Sequence, residues 1–330
     1  MSDLCVIIPN WNGQRFLKTC LDSLISQQGT PVEIIVVDND SHDSSVQFIT
    51  EHYPLVKLIR MPENVGFARG VNAGIEVALK GKAKLIALLN NDTEVDPGWA
   101  NAIREAAASA PEAGFFASKI LDFTDRTIID SCGDAMSWTG RCYKTGELQK
   151  DESPYDKPRF VFGAMAAASV YRRDFFEKVG LFDGDFITYL EDVDIDFRGQ
   201  LAGFRCLFVP TARIYHIGSA TAGKDSPFSF KMMIRNHFHL IYKNFPTQRL
   251  CTAFPKLAYA ELRLFAAAVR QHYAKEYFWG VREAMRSHAT MRPKRKQIQA
   301  GRKVTLDYLD SLIEPSFHYK PALKALKHGK

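Results

Sequence analysis

Three polar clusters each follow directly on a short apolar run: Asn10-Trp11-Asn12 after residues 5–9, Asp38-Asn39-Asp40 after 32–37, and Asn90-Asn91-Asp92 after 84–89. Carboxylates and carboxamides grouped in this way offer acceptors and donors to a polar ligand. A carboxylate such as Asp38 can accept from a pyrimidine edge or from ribose hydroxyls, and Asp92 supplies the hard oxygen that a divalent cation takes. The same clusters equally suit Asx turns and helix caps. A further group, Glu191, Asp192 and Asp194, opens a helical stretch. A carboxylate there can take the proton of an attacking hydroxyl, or the acids can simply favour the positive end of the helix. His216 stands alone after a late apolar strand, suited to a structural role as well as to a metal.

These side chains work together only if the chain brings them to one edge. Residues 5–9, 32–37, 55–59 and 84–89 read as short buried strands. Helical stretches at 15–28, 44–52 and 66–80 separate them; in the first, Phe16, Cys20, Leu21, Leu24 and Ile25 recur at helical spacing. Strand and helix alternating in short units predict right-handed crossovers and a parallel sheet covered on both faces. In such sheets ligands bind at the carboxyl ends of the strands, where the three clusters lie. The pocket is therefore expected to be acidic and amide-rich. Residues 111–160, punctuated by Gly133, Gly140, Gly146, Pro154 and Pro158, read as the second half of the sheet plus a loop. Helices follow at 172–179 and 191–202, a late strand at 205–209, and long helices beyond Phe228.

Hydrophobic residues at 46% and charged residues at 24% are ordinary for a folded protein. The start lacks a basic segment followed by an apolar stretch, and no apolar run reaches the ~18 residues of a membrane span, so a cytoplasmic location is expected. Six cysteines without a CxxC pair fit a reducing compartment. Net charge is +6, and the basic residues gather between 282 and 330.

The segments Val6-Ile7-Ile8-Pro9-Asn10-Trp11-Asn12-Gly13, Val36-Val37-Asp38-Asn39 and Asn64-Val65-Gly66-Phe67-Ala68-Arg69-Gly70-Val71-Asn72-Ala73-Gly74 come first in the chain. Leu88-Leu89-Asn90-Asn91-Asp92-Thr93, Tyr189-Leu190-Glu191-Asp192-Val193-Asp194 and Tyr215-His216 with Ser219-Ala220-Thr221 follow in order. Together they resemble family 2 glycosyltransferases over roughly residues 4 to 245, nearest the rhamnosyltransferase-like branch. The resemblance implies a GT-A type, Rossmann-like α/β fold: a mixed, mainly parallel sheet with helices on both faces. It implies a catalytic domain of residues 1–245 and a helical, basic extension of 246–330.

The resemblance also implies a site. Pro9, Asn10, Asn12, Asp38, Asn39, Arg69, Asn72, Asn90 and Asn91 fall where the donor nucleotide binds. Asp92 and His216 fall where a divalent metal binds, and the imidazole favours Mn2+ over Mg2+. Many members carry a second Asp where this chain has Asn39, and Asn90 replaces the first Asp of their DxD motif. Asp192 is the expected base, Glu191 orients the acceptor, Asp194 supports them, and Gly163 and Ala164 line the sugar pocket. The implied reaction is an inverting transfer from a nucleotide-diphosphate sugar to a hydroxyl of a glycan, glycolipid or lipid-linked glycan. Rhamnose from a dTDP-linked donor comes first, and galactofuranose or an N-acetylhexosamine from a UDP-linked donor second.

Rival readings fare less well. A sugar-nucleotide nucleotidyltransferase would carry a glycine-rich, basic loop at residues 9–13, and a processive synthase would carry membrane helices and a QxxRW motif. A catalytically silent carbohydrate- or membrane-binding protein rests on the missing carboxylate at Asn90. Nucleic acid is not an expected partner, since the basic region lacks aromatic interleaving. That region, strongest at Met291-Arg292-Pro293-Lys294-Arg295-Lys296, reads either as a solvated helical face or as a contact with the inner face of an anionic membrane. Phe254, Leu257, Ala258, Leu262, Phe265 and Val269 share helical spacing, for packing on the catalytic domain or for lying on a membrane.

Overall fold

The computed structural model describes residues 2–218 and 226–315. The Ser219-Ala220-Thr221 motif and the basic residues Lys320, Lys324, Lys327 and Lys330 lie outside the described residues.

The first half follows the expected alternation. Strands β1 (Leu4–Asn10), β2 (Glu33–Asp38), β3 (Lys57–Arg60) and β4 (Leu85–Leu89) alternate with helices α1 (Gln14–Ile25), α2 (Ser45–His52) and α3 (Gly66–Lys80). They pair in parallel in the order β4-β1-β2-β3. Alternate side chains of β1 enter opposite cores. Leu4, Val6 and Ile8 meet Leu17, Leu21 and Leu24 of α1 on one face. Cys5 and Ile7 meet Val71, Ile75 and Ala78 of α3 on the other. Of the glycines spaced by four in α3, Gly74 serves close packing on the sheet. A Cβ there would stand 2.5 Å from a methyl of Ile7.

The second half is a series of short pieces. It comprises β5 (Thr93–Val95), α4 (Trp99–Ser109), β6 (Ala113–Asp122), β7 (Ile129–Ser131), β8 (Asp134–Met136), β9 (Cys142–Lys144), β10 (Arg159–Val161) and β11 (Ala168–Arg172). Then come α5 (Arg173–Val179), α6 (Glu191–Leu201) and β12 (Arg205–His216). Strand β11 runs antiparallel between β4 and β6, and β12 pairs in parallel with β6, so the sheet is mixed. The late strand expected at 205–209 is longer. A register shift between Val209 and Arg213 lets it continue to His216, which pairs with Thr93 of β5.

Five helices close the described chain: α7 (Pro227–Asn244), α8 (Thr247–Arg270), α9 (Ala274–Arg286), α10 (His288–Ala300) and α11 (Leu306–Leu312). Helix α8 runs through Pro255, which faces solvent. A third core joins these helices to the sheet domain: Leu240, Phe245, Leu257, Leu309 and Ile313 pack with Met136, Trp138, Phe162 and Phe197. Two of the basic residues at 291–296 also turn inward. Lys294 pairs with Asp183 and Asp185, and Arg295 donates to the carbonyls of Tyr242 and Phe245 at the end of α7. Among the described residues no helix is long and apolar enough to cross a membrane.

Candidate active site

The ends of β1, β2 and β4 are tied together by side chains. Asn91 donates to Oδ1 of Asn10 at 2.8 Å, and Asn10 donates to Oδ1 of Asp38 at 3.0 Å and to the hydroxyl of Ser41. The other Asp38 oxygen accepts from the Ser41 amide at 3.1 Å. Asn12 takes a left-handed conformation (φ 49°), which Asn tolerates, and accepts from the His42 amide. Gly13 makes the assembly fit, since a Cβ there would stand 2.1 Å from Nδ2 of Asn91. Pro9 is paired to Val37 in the strand just before, and Asn90 leads out of β4 by donating its amide to Ala167.

Asn39 explains its own departure from the family pattern. Its carboxamide donates to Asn64 and to the Gly66 carbonyl and accepts from the Val65 amide, fastening the start of α3 to β2. A carboxylate could not donate those two bonds. Arg69 is exposed, with its guanidinium 3.8 Å from Asp185. Both ends of the Asn72 amide bind the backbone of Phe182, at 2.8 and 3.0 Å.

The extension of β12 sets His216 beside Asp92. Nε2 of His216 is 3.4 Å from Oδ1 of Asp92 yet makes no hydrogen bond, an orphaned buried polar atom. Its Nδ1 lies 2.8 Å from Asp130, whose other oxygen accepts from Lys144 at 2.6 Å. Burial works against a charge on this imidazole, but hydrogen bonding to Asp130 and the adjacent Asp92 outweigh it and push its pKa up to about 9. Asp130, despite burial, is held well below the ordinary carboxylate range by His216 and Lys144. Among the described residues no group of three or more His, Cys, Asp or Glu is arranged to hold a metal. Asp92 and His216 offer two ligands at most, so a cation held there would need further oxygens from its own ligand and a deprotonated imidazole.

The acidic pair lies at the start of α6 behind a strained turn: Ile187, Tyr189 and Leu190 all have positive φ, between 64° and 69°. Asp192 is half-buried, and its oxygens accept from the amides of Ala166 at 3.3 Å and Val193 at 2.8 Å. Glu191 is buried, and its Oε2 has no partner. Burial, followed by the charge of Asp192, raises Glu191 well above its ordinary range. Burial raises Asp192 as well, against the two amides that favour its charged form. Asp134 on β8, pushed up to about 8 by burial and then by Asp192, completes an acidic group.

Three residues near α6 are bound within the protein. Asp194 is fully buried and bound to Arg198, Lys243 and Asn244, so it secures α6 on α7. Gly163 and Ala164 are buried against Asp196: the Ala164 amide donates to it at 2.6 Å, and a Cβ on Gly163 would stand 2.3 Å from its oxygen. Their small size admits α6. Sequence reasoning missed Asp130, Asp134 and Lys144. They stand on three-residue strands with no periodicity to read.

The sequence model of glycosyl transferase family 2 matches residues 5–180. An N-acetylglucosaminyl-diphospho-decaprenol L-rhamnosyltransferase of Mycobacterium tuberculosis is 27% identical over 243 residues, 67% of this chain and 78% of that protein. The O-antigen biosynthesis protein RfbC of Myxococcus xanthus is 26% identical over 230 residues, 67% of this chain but 18% of that much longer protein. GalNAc-T7, solved with UDP, GalNAc and Mn2+, superposes with a TM-score of 0.60 at 18% identity, over 73% of this chain and 48% of its own. S. aureus TarS 1-349 in complex with UDP superposes at 0.52 and 16% identity, over 91% of this chain and 88% of its own. At these identities the two structures bear on the fold alone.

Proposed function

The chain belongs to glycosyl transferase family 2 and is a glycosyltransferase with a GT-A fold, and from that premise we propose an inverting enzyme that moves rhamnose from a dTDP-linked donor, or in second place galactofuranose or an N-acetylhexosamine from a UDP-linked one, to a lipid-linked glycan. One observation carries the reading. Side chains link Asp38 through Asn10 to Asn91, and Asp92, next to Asn91 in the chain, stands beside His216. Together they join a place for a nucleotide to a place for its diphosphate. The names of the M. tuberculosis and M. xanthus relatives support rhamnose and a surface-glycan acceptor.

In this reading Asp38 accepts from the base or ribose, and Asn10 holds it in orientation. Asp92 and His216 would hold a divalent cation, Mn2+ in preference to Mg2+, and GalNAc-T7 is a neighbour by fold that holds Mn2+ with UDP. Such a cation offsets charge on the departing diphosphate. The acceptor oxygen bonds to C1 of the sugar as the C1–oxygen bond to the diphosphate breaks, the electron pair leaving with the diphosphate. Asp192 takes the proton of the attacking hydroxyl. Its two amide contacts keep the carboxylate aimed while leaving it half-open to substrate. Glu191, its ionisation disfavoured by burial and its Oε2 unpartnered, orients a sugar or acceptor hydroxyl by a hydrogen bond.

The deciding experiment follows the melting temperature with dTDP, UDP and other nucleoside diphosphates, with and without Mn2+. Stabilisation by one of the two pyrimidine diphosphates, dependent on Mn2+ and lost in Asp92→Ala, is the expected result. Equal response to purine and pyrimidine diphosphates, or none to either, overturns the donor assignment.

A further inference from the structure

Helix α3 is seated along the chain that leads to the acidic pair. Asn72 holds the backbone of Phe182, Arg69 reaches Asp185 at 3.8 Å, and the Ala68 amide donates to the carbonyl of Ile187 at 3.1 Å. The fit is tightest at Gly66, where the helix begins. Its φ of 80° suits glycine, and a Cβ there would stand 2.7 Å from a methyl of Ile187 and 2.8 Å from its carbonyl oxygen. The start of α3 therefore decides where Ile187 can lie. Ile187 opens the positive-φ turn, and Glu191 and Asp192 follow it by four and five residues.

The start of α3 is in turn placed by Asn39. The backbone of Asn39 belongs to the nucleotide end of the sheet: it comes directly after Asp38, and its amide donates to the Asn10 carbonyl at 2.7 Å. Its side chain goes to the helix. Nδ2 donates to Oδ1 of Asn64 at 3.0 Å and to the Gly66 carbonyl at 3.2 Å, and Oδ1 accepts from the Val65 amide at 3.0 Å. Asn64 also accepts from the Gly66 amide at 3.0 Å, so the bonds converge on one turn of chain. Asn39 is buried, and both hydrogens of its Nδ2 are used within the protein.

We propose that Asn39 is a positioning residue for the acidic pair. Acting through Val65, Gly66 and Ile187, it fixes the turn that aims Glu191 and Asp192, and so ties the nucleotide end of the sheet to the acceptor side. The proposal rests on the reading of Asp192 as the base and adds a residue that acts on it from a distance. A direct contact with the nucleotide is the competing role. For that role the carboxamide has one lone pair of Oδ1 left, against three bonds made to residues 64–66.

The test compares full-length wild type with Asn39→Ala, which removes the three bonds, and Gly66→Ala, which presses on Ile187 from the other end of the linkage. Amide hydrogen exchange without ligand should quicken at least about fivefold over residues 186–192 in both variants. In transfer from dTDP-rhamnose, kcat should fall about tenfold or more. Affinity for dTDP in the presence of Mn2+, and KM for the donor, should stay within about twofold. Melting curves establish that each variant is folded, and Asn39→Ala decides if Gly66→Ala is not. Exchange at the turn unchanged in folded Asn39→Ala overturns the proposal. So does a loss of dTDP affinity in Asn39→Ala with kcat unchanged, which would make Asn39 a nucleotide contact. Wild type that neither binds dTDP nor transfers rhamnose would count against the proposed function alone, because the exchange comparison decides the role of Asn39 at the turn without any ligand.

Discussion

The side-chain nitrogen of Asn236 lies 2.7 Å from the carbonyl oxygen of Tyr189, two residues before the acidic pair. The same nitrogen reaches the carbonyls of Phe186 and Thr188 at 2.9 and 2.8 Å, while Arg235 donates to Asp185 and Phe186. Ile187 (φ 64°, ψ −67°) is a β-branched residue in a region that costs about 1–3 kcal/mol, and Tyr189 and Leu190 add left-handed strain. The fully buried amide of Asn236 holds this turn against that cost and so sets the start of α6.

Asn236→Ala should therefore act at the acidic pair without touching the donor. Expected are a loss of about 2–4 kcal/mol in stability from stranded buried carbonyls and a fall in kcat of about tenfold or more. Nucleoside diphosphate affinity should stay within about twofold, since the Asp38 network lies on other strands. Denaturant melts, steady-state kinetics and nucleotide titration check the three parts. An unchanged kcat in a folded variant would remove the turn from the catalytic account.

In the proposed mechanism Asp192 and Glu191 are neighbours with different tasks, and substitution separates them. Asp192→Asn removes the proton acceptor and should lower kcat by about 10²–10⁴-fold with donor binding intact. Glu191→Gln keeps a neutral donor of the same shape, so it should retain activity within about tenfold, while Glu191→Ala loses more. The informative measurement is the ratio of Gln to Ala activity at position 191. A ratio near one would mean that Glu191 donates nothing to substrate.

Asp130 offers a test of the metal position that does not depend on turnover. Its carboxylate fixes the ring of His216 through Nδ1, leaving Nε2 toward Asp92. Partners of a metal-binding histidine are typically worth about 10–100-fold in metal affinity. Asp130→Asn should weaken Mn2+ binding, measured calorimetrically with the nucleoside diphosphate present, by about that factor. His216→Ala should weaken it further. Wild-type affinity in both variants would mean that the cation sits elsewhere.

The contrast between the two halves of the site shows what a sequence makes legible. Asp38, Asn91 and Asp92 could be read because each follows a continuous apolar strand, and strand ends in a parallel block converge by geometry. The structural partners of Asn72 and Asp194, the backbone of Phe182 and the side chains of Lys243 and Asn244, could not be read because they lie tens of residues away in the chain. Nothing local tells an amide that binds backbone from one that binds a ligand. His216 was legible only through its motif, since the Val209–Arg213 irregularity that carries β12 on to it leaves no periodic trace. The apolar positions of α8 escaped for a different reason, Leu257 being buried and Phe254, Leu262 and Val269 exposed. Helical spacing identifies positions that share a side, not which side the rest of the protein covers.

The last prediction concerns pH and turns on Asp134. Its carboxyl is pushed up to about 8 from an ordinary value of 3.8, first by burial and then by Asp192. Between those values the folded protein binds a proton at this position that the unfolded chain has released. The contribution of Asp134 to stability is therefore fully present below the unfolded value and is lost as pH rises through about 8. Asparagine mimics the protonated acid at every pH. Asp134→Asn should match wild type near pH 4 and gain on it progressively, by on the order of 1–3 kcal/mol at pH 8. Activity should behave otherwise. Because Asp192 is raised as well, kcat/KM should fall on acidification at a pH above the ordinary carboxylate range. That acid limb should persist in Asp134→Asn, since Asp192 and not Asp134 is the base of the proposed mechanism. Paired denaturant melts and pH–rate profiles of the two proteins give both readouts. A stability difference flat in pH would show that Asp134 is ionised in the folded state, and loss of the acid limb would make Asp134, not Asp192, the group whose titration governs transfer.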